Sequence, residues 1–365
     1  MKILHIIGSL EMGGAENLLI PLTLEQKRQG SDVRVLLLKK ACNPTVTQKI
    51  QNNGIDVNWL IEKGSLYNPM LILKLRPYLK GNDIVHVHLF PSLYWAGFAK
   101  WLTRNAAPLV YTEHSTKNRR RENPILNRVD RIVYQHAYKH IIACSEKARE
   151  TYLEAYPNIK HLTTVNNGVD TRQNREALPY SKQKLLGISE DNFVVTMVAR
   201  FMFMKRQDTI VEAIAKLPKK FHACLVGGEP TDEGLINVQR LAEMLSVSDR
   251  VHFLYVRSDV PRILKTSDVV MMSSEYEGLS LSSIEGMAAG KPFVATDVNG
   301  LKEVVTGAGE LFELYNADQL AAILSKLESD KDYYNIIANR CSQRASEFDI
   351  KIMAANYKDI YNQVR

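Results

Sequence analysis

Short apolar runs separated by polar stretches of helical period recur along the whole of this 365-residue chain. The runs predict buried strands at 2–7, 33–38, 55–59, 83–88, 108–112, 140–144 and 162–165. A turn cluster, Asn166-Asn167-Gly168-Val169-Asp170, and a polar stretch from Thr171 to Asp191 then interrupt the pattern. It restarts with Phe193–Val198 and continues at 221–226, 251–255, 268–272, 292–296 and about 310–312. Helical spacing is predicted near 14–29 and at about 317–329, 332–347 and 350–363. Strand–helix alternation argues for parallel sheets, and the interruption argues for two of them. The expected fold class is α/β, with one Rossmann-like domain over 1–170 and a second over 171–349. The C-terminal helix, about 350–365, is expected to pack back on the first domain. The two parallel-sheet domains are expected to face each other across a cleft lined by the carboxyl ends of their strands.

Composition adds little beyond ordinary globular character: 45% of residues are hydrophobic and 24% charged. The net charge of +7 is unevenly placed, since residues 1–170 hold 23 Lys/Arg against 14 Asp/Glu and 171–365 hold 24 against 26. A basic first half suits an anionic partner, a phospholipid-linked acceptor or a membrane face; solubilising charge is the plainer reading. Nothing resembles a compact nucleic-acid recognition motif, so no nucleic-acid partner is expected. Cys42, Cys144, Cys224 and Cys341 lack metal-type spacing, as expected for reduced thiols of a cytoplasmic protein. The first residues carry too short an apolar run for a signal peptide, and no transmembrane stretch is expected.

Chemistry is concentrated at predicted strand ends. Glu277 and Glu285 are eight residues apart in Glu277-Gly278-Leu279-Ser280-Leu281-Ser282-Ser283-Ile284-Glu285. This segment joins the 268–272 strand to a helix predicted over Ser282–Ala289, so Glu277 falls in the turn and Glu285 in the first helical turn. Amides from Gly278 to Ser282 would line the helix N-terminus, where phosphate is readily held. Two carboxylates flanking an anion suit the hydroxyls of a nucleotide sugar, although a first-turn Glu is also favoured by the helix dipole alone. Arg200 ends the first strand of the second half and Lys205 follows five residues later at the start of a helix, two cations able to neutralise a diphosphate. In the first half, Gly8-Ser9-Leu10-Glu11-Met12-Gly13-Gly14 opens the first helix without the spacing of a Walker or dinucleotide loop. His114 follows a strand and is placed to hydrogen-bond a sugar hydroxyl. His86 and His88 read as structural, and a zinc site from that pair lacks further ligands nearby in sequence. Tyr94, Trp95, Phe98 and Trp101 read as a core-packing helix, with membrane contact as the sharper alternative. Arg119, Arg120 and Arg121 follow His114 and form either a solvated run or an anionic acceptor or membrane site.

In this order, these motifs resemble family 4 of the retaining glycosyltransferases (glycosyl transferases group 1), which have the GT-B fold. The likeness covers nearly the whole chain. It rests on Gly13-Gly14, Glu113-His114, Asn167-Gly168-Val169-Asp170, Arg200 with Lys205, and Glu277 through Glu285 followed by Gly286-Met287-Ala288-Ala289-Gly290-Lys291-Pro292. The resemblance implies that Arg200 and Lys205 hold the donor diphosphate, Glu285 the ribose and Glu277 the transferred sugar. It further implies that Gly13, Gly14, Gly278, Leu279, Ser280 and Leu281 line the donor site, that His114 contacts the donor sugar, and that the backbone at Val256 faces the base. Leu279-Ser280 stands where the family often has Phe-Gly. The implied reaction is transfer from a nucleotide-diphosphate sugar, UDP-linked rather than GDP-linked, to a hydroxyl of a glycan or lipid-linked acceptor. Cell-surface polysaccharide or glycoconjugate synthesis is the expected setting, in the cytoplasm or at the inner membrane face, without metal or other cofactor.

Two rivals share the donor residues: a nucleotide-sugar epimerase of the same fold, which needs no acceptor, and a non-catalytic nucleotide-sugar-binding module. An NAD-dependent dehydrogenase is disfavoured because neither half carries the glycine fingerprint.

Overall fold

The computed structural model describes residues 1–10, 14–41, 44–114, 119–277 and 279–365, without the side chains of 14–17, 44, 45 and 119. Gly13, Gly278 and the Arg119 side chain therefore lie outside the described residues. The chain divides into two compact units, Met1–Gly168 with Ile350–Arg365, and Val169–Asp349.

In unit 1, β1 (Lys2–Ile7), β2 (Asp32–Lys39), β3 (Asp56–Ile61), β4 (Ile84–His88), β5 (Leu109–Glu113), β6 (Tyr138–Ala143) and β7 (Leu162–Thr164) form one sheet. Its order is β3-β2-β1-β4-β5-β6-β7. Unit 2 holds β8 (Phe193–Val198), β9 (Phe221–Val226), β10 (Val251–Tyr255), β11 (Val269–Met272), β12 (Phe293–Thr296) and β13 (Glu310–Phe312). They lie in the order β10-β9-β8-β11-β12-β13. Every described pairing is parallel. Each strand order therefore reverses beside its first strand, at β1/β4 and at β8/β11, where an open parallel sheet leaves a crevice beyond the strand ends.

Helices cover both faces, so central strands are buried from end to end; β9 is buried at every position. Valine, isoleucine and leucine dominate both cores, for example Val195, Ile210 and Leu225 in unit 2 and Leu36, Val85 and Leu109 in unit 1. β6 begins at Tyr138, earlier than the expected 140–144 run. Exposed Lys139 breaks the apolar pattern while pleating outward, and buried Tyr138 on the other face donates its hydroxyl to the Leu93 carbonyl at 2.6 Å. The polar stretch after Asp170 is part of unit 2 rather than a bare linker. It forms helices Thr171–Glu176 and Lys182–Leu186 and is tied down by Lys182 on Asp268 at 2.7 Å. The last helix, Ile350–Val364, packs on the first, Gly14–Arg28, within unit 1.

Candidate active site

The β8/β11 switch point of unit 2 gathers four of the sequence-predicted residues. Arg200 emerges two residues beyond β8 and is exposed; among the described residues no hydrogen bond or ion pair holds its guanidinium. Beyond it a 3₁₀ turn, Phe203–Lys205, precedes the helix Gln207–Lys216, so Lys205 closes that turn rather than starting the helix. The segment leaving β11 stitches this turn in place. Ser273, fully buried, lies within hydrogen-bond reach of the Lys205 carbonyl (3.0 Å) and the Arg206 carbonyl (2.7 Å), and the Glu275 amide donates to Met204 at 2.8 Å. The result is an ion pair: Lys205 Nζ reaches Glu277 Oε1 at 2.5 Å, and Ser274 Oγ donates to the same oxygen at 2.7 Å. Both side chains are largely enclosed, 18% and 13% exposed, so this pair is better shielded from water than a surface pair.

Ser280 caps the helix Leu281–Ala288, its hydroxyl accepting from the Ser283 amide at 3.3 Å. Glu285 is the fifth helical residue, so the expected first-turn placement is corrected to the second turn. The cause is the cap, which starts the helix one residue earlier than expected. Among the described residues the Glu285 carboxyl has no side-chain partner, and burial pushes it up to about 7. Gly286 allows the close approach: a Cβ there would stand 2.7 Å from Val270 Cγ1 and 2.9 Å from the Phe293 ring. Leu279 and Leu281 pack against the unit 2 core. Val256 is exposed just past β10, after Tyr255 in the left-handed region (φ 52°).

Two supports escaped the sequence reading. Gly227, at φ 124°, lets the β9 exit run against the Ala199 backbone beside Arg200, where any side chain would strike the Ala199 carbonyl. The pair Gly227-Gly228 directly after an apolar run was the available signal. Arg206 pairs with Asp208 at 2.6 Å and stacks on Phe203 and Tyr315, whose hydroxyl donates to Glu275 at 2.8 Å. No sequence spacing links Arg206 to Tyr315.

In unit 1, His114 lies beyond β5, its Nε2 at 3.1 Å from His88 Nδ1. Burial drops His114 to about 4, so the ring is neutral at pH 7. Arg120 and Arg121 are not a solvated cationic run, which corrects that expectation. Arg120 pairs with buried Asp130 at 3.3 Å and lies over the Phe90 ring; Arg121 pairs with Glu113 at 3.4 Å and lies over Tyr152. Asp130 also accepts from the Tyr94 and Tyr156 hydroxyls at 2.5 and 2.8 Å. Both arginines complete a buried carboxylate–tyrosine network. His86 and His88 are joined in space by His5 from β1, which sequence distance had hidden.

A family model described as glycosyl transferases group 1 matches residues 181–347, and one described as glycosyltransferase family 4 matches residues 12–173. D-inositol 3-phosphate glycosyltransferase of Mycobacterium marinum is 30% identical over 264 residues, 67% of this chain and 55% of that protein. N-acetyl-alpha-D-glucosaminyl L-malate synthase of Bacillus anthracis is 28% identical over 289 residues, 77% of this chain and 75% of that protein. The chain thus spans about half the length of the inositol-phosphate relatives it matches. Among solved structures, Anabaena HepE in complex with UDP superposes with a TM-score of 0.86 at 24% identity, covering 100% of both chains. A Rickettsia africae glycosyltransferase gives 0.83 at 21%, covering 99% of this chain and 98% of that one. The two Rossmann-like, all-parallel units are those of the GT-B fold. The two family models meet across the units and together account for nearly the whole chain, which belongs to glycosyltransferase family 4, the group 1 glycosyl transferases.

Proposed function

We propose that this protein moves a sugar from a UDP-linked donor to a hydroxyl acceptor with retention of anomeric configuration. The observation that carries the reading is the β8/β11 site. There an exposed Arg200, whose guanidinium no described residue holds, follows the same strand as Lys205 of the shielded Lys205–Glu277 pair, and the half-buried Glu285 carboxyl has no side-chain partner among the described residues. Diphosphate departure concentrates negative charge, and Arg200 with Lys205 is a preorganised counter-charge for it. Glu277, fixed by Lys205 and Ser274, is assigned a hydroxyl of the transferred sugar, and Glu285 the ribose hydroxyls. The backbone of Leu279, Ser280 and Leu281 is assigned to the diphosphate end of the helix, and that of Val256 to the base. In unit 1, His114 is assigned a donor-sugar hydroxyl and Gly14 backbone contact. The cations supply the charge a metal would otherwise supply, so transfer is expected to survive chelation. HepE, whose fold this chain shares, was crystallised with UDP and with UDP-glucose, which supports the choice of base.

The acceptor is assigned to a glycan or a lipid-linked molecule, in cell-surface polysaccharide or glycoconjugate synthesis. No described helix is long and apolar enough to cross a membrane. Unit 1 does expose Tyr67, Met70, Leu73, Trp101 and Leu102 on or beside two helices that pack on each other, with exposed Lys63, Lys74, Arg76 and Arg104 near them in sequence. Exposed apolar side chains with cations close by in sequence suit an anionic bilayer surface better than the paired Arg120 and Arg121 do.

A thermal-shift panel of UDP-, GDP- and ADP-sugars followed by transfer assays tests the reading, with the product anomer assigned by NMR. Stabilisation by UDP-sugars and an α-linked product from an α-linked donor are expected. Donor conversion without acceptor would point to an epimerase, and binding without turnover to a non-catalytic module. Absence of any nucleotide-sugar shift would overturn the proposal.

A further inference from the structure

On one face of the unit 1 sheet, neighbouring strands present buried polar side chains in register. His5 on β1 stands opposite His86 on β4, and His88 stands opposite Thr112 on β5. The helices Gly14–Arg28 and Ile350–Val364 supply Gln26 and Tyr361 to the same buried cluster. His5, His86 and His88 bring ligand atoms within 4.8 Å of one another. Yet each of their six ring nitrogens already has a hydrogen-bond partner. His5 Nδ1 and His88 Nε2 are 2.9 Å apart, whereas two nitrogens on one tetrahedral zinc stand about 3.3 Å apart. The cluster is a hydrogen-bonded chain rather than a metal pocket.

The chain has a direction. Burial holds His5 and His114 at about 4 and His86 and His88 well below the ordinary histidine value, so each ring carries one proton at pH 7. Gln26 Oε1 lies 2.7 Å from His5 Nε2, which must therefore donate. His5 Nδ1 is left as an acceptor, so His88 Nε2 donates to it at 2.9 Å. His88 Nδ1 is then an acceptor in turn, and His114 Nε2 donates to it at 3.1 Å. The remaining nitrogen, His114 Nδ1, is shielded from water and has no partner among the described residues. A second branch agrees: the other end of the Gln26 amide faces Tyr361 Oη at 3.3 Å, leaving that hydroxyl to donate to His86 Nδ1 at 2.5 Å. Running the chain backwards would leave an orphaned N–H on His114, a costlier state than an unfilled lone pair.

We propose that Gln26, acting through His5 and His88, fixes His114 in the Nε2–H tautomer and so presents Nδ1 as the acceptor for a hydroxyl of the donor sugar. This rests on the assignment of His114 to the donor. Gln26, His5 and His88 are positioning residues. An amide has no site to take a proton at neutral pH, so the chain orients His114 without relaying a proton away from it.

Nitrogen NMR of the full chain labelled with ¹⁵N-histidine reads the tautomers directly at pH 7, without substrate. The Nε2–H form is expected at His5, His88 and His114, the last assigned by its loss in His114→Ala. Gln26→Met should mix the His114 tautomers and lower kcat/KM for the donor about tenfold. Gln26→Glu, which keeps an acceptor toward His5, should restore the tautomer. An Nδ1–H or doubly protonated His114 in the wild type overturns the proposal, whatever the variants do. An altered tautomer in Gln26→Met with unchanged kcat/KM overturns its role toward the donor. If the wild type turns over no nucleotide sugar at all, the functional reading fails, while the NMR still decides whether the chain sets the tautomer.

Discussion

Lys205 Nζ and Glu277 Oε1 are 2.5 Å apart, although 72 residues of chain separate them. The cation assigned to the diphosphate and the carboxylate assigned to the sugar hold each other before any donor arrives. Arg200→Ala and Lys205→Ala are each expected to lower kcat by about 10²–10³, the scale for losing one preorganised charged group. Because Lys205 and Glu277 act as a unit, the Lys205→Ala, Glu277→Ala double variant should fall within about tenfold of the worse single one. Steady-state kinetics on the four variants provides the check, and fully additive losses would separate the pair.

The two glutamates should differ in what they recognise. Glu285→Ala is expected to weaken free UDP as much as the sugar donor, since its assigned partner is ribose. Glu277→Ala should weaken only the donor. Calorimetry with both ligands measures this, and equal losses of UDP affinity in the two variants would defeat the division.

Glu285 should also cost stability. Its carboxyl is raised from 4.5 to about 7 in the fold, so the folded chain holds more protons than the unfolded chain between those values. Stability on this account is greatest below pH 4.5 and falls as pH rises through 7. Glu285→Gln is expected to be more stable than wild type at pH 8 by about 1–3 kcal/mol, with the gap closing toward pH 5. Urea melts at both pH values test the sign.

Much of this was legible in the chain. Strand positions followed from apolar runs, because a doubly covered parallel sheet buries its central strands on both faces and leaves few polar interruptions. Arg200, Lys205, Glu277 and Glu285 could be singled out as candidates because strand ends, where residue type changes abruptly, are where such sheets place their sites. Arg120 and Arg121 were misread. Charge is visible in a sequence, but the partners Asp130, Tyr94, Tyr156 and Glu113 come from other elements. The histidine chain was hidden for the same reason, since β1 and β4 become neighbours only when the strand order reverses.

That misreading yields its own test. Arg120→Gln leaves Asp130, which is fully buried, without its cation and should destabilise unit 1 by about 3–5 kcal/mol. A surface arginine would cost almost nothing. Chemical denaturation of the full chain distinguishes the two.

Gly286→Ala should act through packing. Val270 and Phe293 leave no room for a methyl group, so the helix carrying Glu285 must lift from β11 and β12. A loss of about 1–3 kcal/mol is expected together with weaker UDP binding. Unchanged UDP affinity at lower stability would show that helix position and nucleotide recognition are uncoupled.

The helix Ile350–Val364 belongs to unit 1 but is translated after all of unit 2. Tyr357 and Tyr361, both fully buried, are therefore missing while the ribosome is still making the second sheet. Until they arrive, the hydroxyl that Gln26 and His86 share is absent, and a polar seam lies open on the sheet. The order of synthesis thus makes unit 1 the first to begin folding and the last to close. A C-terminal deletion of sixteen residues, 350–365, would strike the histidine chain near the other end of the sequence.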